Sequence, residues 1–388
     1  MKVLKICIGT WQNASHDKRE LAVCRELGAE VQVIAKGDIF GQKEMVDGFP
    51  VIRLSARPWG NKVPVAINRV VSVFAWAGYI RKMKDIDVIS GHDLSGLFIG
   101  WLSNFFKKNK AKLVYDSHEF TVGRDELSGK LKTKLIYCLE HFLIKRCAFS
   151  IMVNDSIANE VQKLHKLTER PVVARNAAYY WHLDPDKVQA KRTQLQQSLP
   201  EEAKDFIIMY HGAIAVNRGI EQMLQAAAEL ENVSCIILGN SETQRYIEVL
   251  QQMAAQLGMS QRVLFHPAVP LNELPEFVAA VDVGMINIMA SSKSFYYMLP
   301  NKFYENIQAM TPIIVSNFPE VVRITDQYGI GLKVDPANVQ QITEAIAKMK
   351  DDKAFYAACK ENIRSAKEEL CWEKEKEKLK SAYKSILM

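Results

Sequence analysis

Short runs of β-branched and aliphatic residues alternate with helical stretches along most of this chain. Lys2–Gly9 reads as a buried strand, Thr10–Ser15 as a polar turn, and His16–Gly28 as a helix closed by its glycine. Val31–Ala35 is the next strand. A strand, a helix and a strand joined by short turns form a βαβ unit, which implies a parallel sheet. The pattern continues through strand Val88–Ser90, helix Leu94–Phe106, strand Leu113–Tyr115, strand Phe149–Val153, helix Ser156–Leu164 and strand Pro171–Ala174. Residues 177–203 are polar and aromatic, and read as a link carrying a solvent-exposed helix. The alternation restarts with strand Phe206–Tyr210, turn Gly212–Gly219 and helix Ile220–Leu230. Strand Cys235–Leu238, helix Gln244–Leu257, strand Val263–Phe265 and helix Leu274–Val281 follow. Strands Met285–Ile288, Ile313–Ser316 and Gly331–Val334, helix Val339–Met349 and a charged helix from about Ser365 complete the series. The expected architecture is α/β, with two tandem Rossmann-like doubly wound domains.

Size supports two domains, because 388 residues exceed what one hydrophobic core usually serves. Charge differs between the halves. Residues 1–180 hold 28 Lys and Arg against 18 Asp and Glu, whereas residues 181–388 hold 22 against 26. A basic first half suits an anionic partner, and the cations around Lys107–Lys112 and Lys130–Lys145 are interleaved with Leu, Ile, Phe and Trp. Solvated helix faces explain most such runs; in-plane contact with an anionic membrane is the sharper reading. No nucleic-acid docking module is recognisable. The seven cysteines show no ligand spacing and read as reduced residues of a cytoplasmic protein. The first residues are too short and charged for a signal peptide, and Val70–Ile80 is too short to span a bilayer.

In doubly wound sheets, ligands bind at the carboxyl ends of the strands. Those ends hold His92, Asp93, Asp116, His118, Glu119, Asn176, Arg218, Gly239, Asn240 and His266. The stretch Ser294–Glu320 adds an aromatic loop followed by Pro300, which suits a first helical turn. The free amides of Asn301, Lys302 and Phe303 would then favour an anion, helped by the Lys302 charge, with Glu305 one turn on. Gly212–Gly219 similarly brings Arg218 to a helix start, where a guanidinium can grip a diphosphate. No Gly-x-Gly-x-x-Gly or Gly-x4-Gly-Lys-Ser/Thr loop is present, which disfavours an NAD-type oxidoreductase and a P-loop enzyme. Asp85-Ile-Asp87 precedes a strand and Asp184-Pro-Asp186 lies in the link, so neither is positioned as a metal pair.

These pieces in this order resemble GT-B glycosyltransferases, specifically the family-4-like retaining enzymes. The resemblance rests on His16-Asp-Lys-Arg19, His92-Asp93, Val114-Tyr-Asp-Ser-His-Glu119, Arg175-Asn176, Tyr210-His-Gly212, Asn217-Arg-Gly219, Leu238-Gly239, Leu299-Pro-Asn-Lys-Phe-Tyr-Glu305, Gly329-Ile-Gly331 and Trp372-Glu373. It implies two domains flanking an interdomain cleft: residues 1–178 for the acceptor, 179–365 for a nucleotide-diphosphate sugar, and 366–388 bracing the first domain. It implies His118, Arg218 and Lys302 as catalytic residues. Gly212, Asn217, Arg218, Gly239, Asn240, His266, Val269, Asn301, Lys302 and Glu305 would bind the donor. Gly9, Thr10, Asp93, Glu119 and Tyr297 would face the acceptor or the sugar. No metal and no cofactor beyond the co-substrate is implied.

The chain departs from the family pattern twice. Tyr297 stands where the Glu-x7-Glu motif has its first Glu, and Met310 stands where a glycine is usual. The expected function is retaining, metal-independent hexosyl transfer to a hydroxyl acceptor. A lipid-linked or polysaccharide precursor of the cell envelope, met at the inner face of the plasma membrane, fits that expectation. A nucleotide-sugar epimerase on the same fold and an inactive sugar-nucleotide-binding scaffold remain as alternatives.

Overall fold

The computed structural model describes residues 1–60, 62–105, 107–124, 129–200, 205–241 and 243–387. The expected helix end at Phe106 and link residues 201–203 lie outside them. The chain divides into two units, Met1–Arg175 with Glu375–Met388, and Asn176–Lys374.

The first unit contains β1 (Lys2–Cys7), α1 (Ser15–Glu26), β2 (Glu30–Gly37), β3 (Gln42–Val46), β4 (Phe49–Ser55) and α2 (Val65–Lys82). It continues with β5 (Val88–His92), α3 (Asp93–Asn104), β6 (Lys112–Ser117), α4 (Lys130–Ile144), β7 (Phe149–Met152), α5 (Asp155–His165) and β8 (Val172–Val173). The strand order is β3-β4-β2-β1-β5-β6-β7-β8. Pairing is parallel except for the β3–β4 hairpin, whose turn residues Asp47 and Gly48 both have positive φ, 50° and 75°. β3, β4, α2 and α4 add to the elements expected from the sequence. Central strands are buried on both faces, as parallel sheets require, so β1 is buried from Val3 to Cys7. The order reverses between β1 and β5, which opens a crevice at their carboxyl ends.

The second unit contains α6 (Pro185–Gln197), β9 (Phe206–His211), α7 (Ile220–Ala228), β10 (Val233–Leu238), α8 (Gln244–Gln256), β11 (Val263–His266) and α9 (Leu274–Ala279). Then come β12 (Val283–Ile286), α10 (Lys293–Tyr296), α11 (Asn301–Gln308), β13 (Ile313–Ser316), α12 (Pro319–Tyr328), β14 (Gly331–Val334), α13 (Val339–Asp351), α14 (Lys353–Glu369) and the start of α15 (Trp372–Leu387). Its parallel sheet runs β11-β10-β9-β12-β13-β14, reversing between β9 and β12. β12 begins at Val283 rather than Met285, because Val283 pairs with Ile208 of β9. The aromatic loop before Pro300 contains α10, capped by the Ser292 side chain.

The closing helix is not one piece. Ile363, Ala366 and Leu370 pack with Phe303 and Ile307 in the core of the second unit. From Glu375 onward α15 belongs to the first unit, later than the expected residue 366. There Tyr383 is fully buried and donates its hydroxyl to Glu20, and Lys112 Nζ bonds the Ile386 carbonyl at 3.0 Å. Among the described residues no helix is long and apolar enough to cross a membrane.

Candidate functional site

In the first unit the crevice residues converge on a buried lysine. Lys5 sits in the middle of β1 with no exposure, and its ammonium meets Asp17 Oδ1 at 2.9 Å, Asp116 Oδ2 at 2.6 Å and the Glu20 carboxylate. Burial alone would lower the Lys5 pKa, but attraction from Asp116, Asp17 and Glu20 raises it well above the ordinary value. Asp116 is held well below the carboxylate range: burial opposes this, and Lys5, His118 and His16 overcome it. Three histidines sit on this anionic ring. His118 Nε2 donates to Asp116 Oδ2 at 3.0 Å, and His92 Nδ1 donates to Asp17 Oδ2 at 2.8 Å. The His118 ring lies 4.6 Å from that of His16 and 4.1 Å from that of His92. His92 is shifted upward: burial lowers it, and the hydrogen bond and charge of Asp17 raise it further.

Asp93 starts α3 with φ 54°, a conformation uncommon outside glycine and informative at a strand end. Its carboxylate accepts the His118 N–H at 3.2 Å and the Arg124 guanidinium at 2.8 Å, while Arg124 also pairs with the exposed Glu119. Gly9, His92, Asp93, Thr121 and Arg124 line an open pocket of about 470 Å³ at the β1–β5 reversal. Thr10 is exposed beside it, at the start of a short 3₁₀ turn.

The second unit gathers its candidates at the β9–β12 reversal. The Lys302 side chain is buried at the start of α11, and its Nζ lies 3.6 Å from the Tyr210 ring centroid. Burial first, and the neighbouring Arg218 charge second, lower its pKa to about 7, with Glu305 opposing. Neither Lys302 nor Arg218 forms an ion pair among the described residues; Arg218 lies 5.2 Å from the Phe295 ring centroid. Two neighbouring cations, Lys302 at the start of α11 and Arg218 just before α7, thus lie without an ion-paired carboxylate among the described residues. That arrangement accepts an anion. Glu305 is held from behind, its Oε2 accepting from His211 Nε2 at 2.8 Å.

Backbone geometry brings the remaining donor candidates into the same loops. Asn217 (φ 65°) and Gly219 (φ 74°) turn the chain into α7, and the Asn287 amide ties the Gly219 carbonyl at 2.7 Å. Gly239 follows β10 so closely against Gly212 that a Cβ would lie 1.8 Å from the Gly212 carbonyl oxygen. The His266 carbonyl accepts from the Gly239 N–H, and Asn240 Oδ1 accepts from the Ala268 N–H at 3.1 Å, beside the half-buried Val269. Asn301 is exposed and accepts from the Asn176 side chain at 2.7 Å. Tyr297 closes α10 against the Tyr296 ring, 5.4 Å away.

Three acids, Asp17, Glu20 and Asp116, approach closely enough to hold a cation, as do His16, Asp116 and His118. The position among the acids is taken by the Lys5 ammonium. Asp184 instead caps α6, and Asp87 accepts the Lys2 N–H. Lys5, Asp17, Glu20 and His211 lie outside the residues assigned from sequence. For Lys5 the signal is a charge in the middle of an apolar run; for His211 and Glu305, 94 residues apart, no local signal exists.

Residues 191–366 match the model of the group 1 glycosyl transferases. An uncharacterized glycosyltransferase of Methanocaldococcus jannaschii is 23% identical over 91% of this chain and 90% of its own. Mannosylglucosylglycerate synthase of Petrotoga mobilis is 21% identical over 75% and 71%. Among solved structures, HepE of Anabaena in complex with UDP superposes with a TM-score of 0.77 at 16% identity, covering 99% of this chain and 100% of that one. Sucrose-phosphate synthase of Thermosynechococcus elongatus gives 0.78 at 17%, covering 100% and 99%. The chain is a glycosyltransferase of the GT-B fold, with residues 191–366 as its group 1 glycosyl transferase domain.

Proposed function

We propose that this enzyme transfers a hexosyl group from a nucleotide-diphosphate sugar to a hydroxyl acceptor with retention and without a metal. The observation that carries the reading is the buried Lys302 at the start of α11 beside Arg218 at the start of α7, neither with an ion pair among the described residues. The diphosphate binds these cations at the positive end of α11, where the Phe303 N–H is already bonded to the Pro300 carbonyl, and they stabilise the charge that builds up as it departs. Glu305, steadied by His211, accepts from the ribose hydroxyls. His118, locked to Asp116 through Nε2, orients the sugar with its other nitrogen. The acceptor hydroxyl attacks the anomeric carbon from the face the diphosphate leaves, and a diphosphate oxygen takes its proton. The pocket at Gly9 and Asp93 receives the acceptor, a cell-envelope precursor in this reading.

UDP-glucose is the first donor to test, because HepE structures hold UDP, and UDP with glucose. It is expected to raise the melting temperature without added metal, and transfer to a sugar acceptor is expected to keep the anomeric configuration by NMR. If no UDP-, GDP- or ADP-sugar shifts the melting curve, the donor assignment fails. A product formed from the donor alone would favour an epimerase, and binding without turnover a scaffold, a reading that Tyr297 supports. Contact of the basic first half with an anionic membrane belongs to the same proposal. Cosedimentation with anionic liposomes at low salt, lost at high salt, is its expected signature.

A further inference from the structure

A second cavity in the first unit has a different character. It is a groove of about 640 Å³ among the end of α3, the start of β6, the α4–β7 joint and the end of α15. Its walls are Trp101, Phe105, Phe142 and Ile386. The Trp101 ring meets Phe105 at 5.3 Å and the edge of Phe142 at 5.4 Å. Phe105 and Phe142, which both meet the Trp101 ring, are 49% and 40% exposed.

The polar atoms of this groove are largely used already. Asn104 exchanges both amide bonds with Ala111, at 2.8 and 3.0 Å. The N–H groups of Lys112, Cys147 and Ala148 bond the Asp87, Ile144 and Leu113 carbonyls. A peptide laid here would bury backbone groups with few partners, which is costly, whereas a hydrocarbon chain brings none. Among the described residues, the charged residues of the lining are Lys110, Lys112 and Arg146, all cations, with no carboxylate. The Arg146 guanidinium lies 3.5 Å from the Phe142 ring centroid, at the junction of wall and rim.

β6 begins at Lys112 in this groove and ends at Ser117, next to His118. The groove therefore lies at the opposite strand ends from the crevice, and its occupant takes no part in sugar transfer. We propose that it holds one hydrocarbon chain of an anionic lipid, with the headgroup on Lys110 and Arg146. This goes beyond the transfer reaction, and it rests on the membrane contact proposed above only for the source of the lipid.

Dodecyl amphiphiles below their micelle concentration separate the groove from a bilayer surface. Titrating the full chain with dodecyl phosphate and following tryptophan emission is expected to give saturable one-to-one binding. Its affinity should exceed that of dodecyltrimethylammonium by about tenfold or more, near what two favourable headgroup charges supply. Ala148→Trp, which fills the groove from an exposed position, should abolish binding, with folding checked by circular dichroism. Lys110→Glu with Arg146→Glu should cost about tenfold for dodecyl phosphate and leave dodecyl maltoside unchanged. Equal affinity for the cationic amphiphile, unchanged binding in the charge-reversed variant, or no binding at all would overturn the proposal. So would a concentration-dependent dimer lost in Ala148→Trp, which would make the occupant a second copy of the chain.

Discussion

Lys302→Met is expected to melt at a higher temperature than the natural protein and to bind UDP-glucose about 10- to 100-fold more weakly, the scale of one charge-assisted hydrogen bond. Both effects come from burying an ammonium beside Arg218. The folded pKa of about 7 lies below the ordinary 10.5, so between these values the unfolded chain holds a proton that the folded chain lacks. Stability of the natural protein therefore rises with pH across this window as far as Lys302 is concerned. Below pH 7 the folded chain carries the whole cost of the buried charge, so the methionine variant gains most there, and its advantage shrinks toward pH 10.5. A bound diphosphate favours the ammonium, so donor binding above pH 7 takes up a proton. Calorimetry in two buffers of different ionisation heat measures that uptake. Affinity should fall as the pH rises above 7 in the natural protein and stay flat in the variant. An unchanged affinity with an unchanged pH profile would remove Lys302 from the donor site.

Arg218→Ala is expected to lower turnover by about one to three powers of ten, as removal of one preorganised donor does elsewhere. Because Arg218 has no ion pair among the described residues and crowds the buried Lys302 ammonium, its loss should not lower the melting temperature. It also relieves Lys302 of a neighbouring charge, so the Lys302 pKa should rise and the pH limb near 7 move upward. A near-normal rate for this variant would sink the assignment. Loss of rate without movement of the pH limb would separate Arg218 from Lys302.

The alternation of apolar strands and helices was legible because parallel strands buried on both faces read as unbroken aliphatic runs, as in β9 and β10. The β3–β4 hairpin departs from that rhythm: Gln42–Val46 is polar and largely exposed, although its Asp47-Gly48 turn carries the usual hairpin signature. Helix α2 is apolar over much of its surface, with Ile67, Val70 and Phe74 exposed, so no clean stripe marks it. At the site, Lys302 and Arg218 stood out because glycine turns and Pro300 announce helix starts. Lys5 did not, because a lysine is ordinarily a solvated residue, and only Asp17, Glu20 and Asp116, from two other elements, make its burial tolerable. His211 became visible only when the fold brought β9 against α11.

The Tyr383 hydroxyl on Glu20 has a consequence for how the protein is made. The residue that completes the surroundings of Glu20 leaves the ribosome 363 residues after Glu20 itself. Until then the Glu20 carboxylate, paired with the buried Lys5 ammonium, lacks the Tyr383 hydroxyl that donates to it. Domains that emerge first generally fold first. Here the first unit gains its last segment, from Glu375 onward, only after the whole of the second unit has been synthesised.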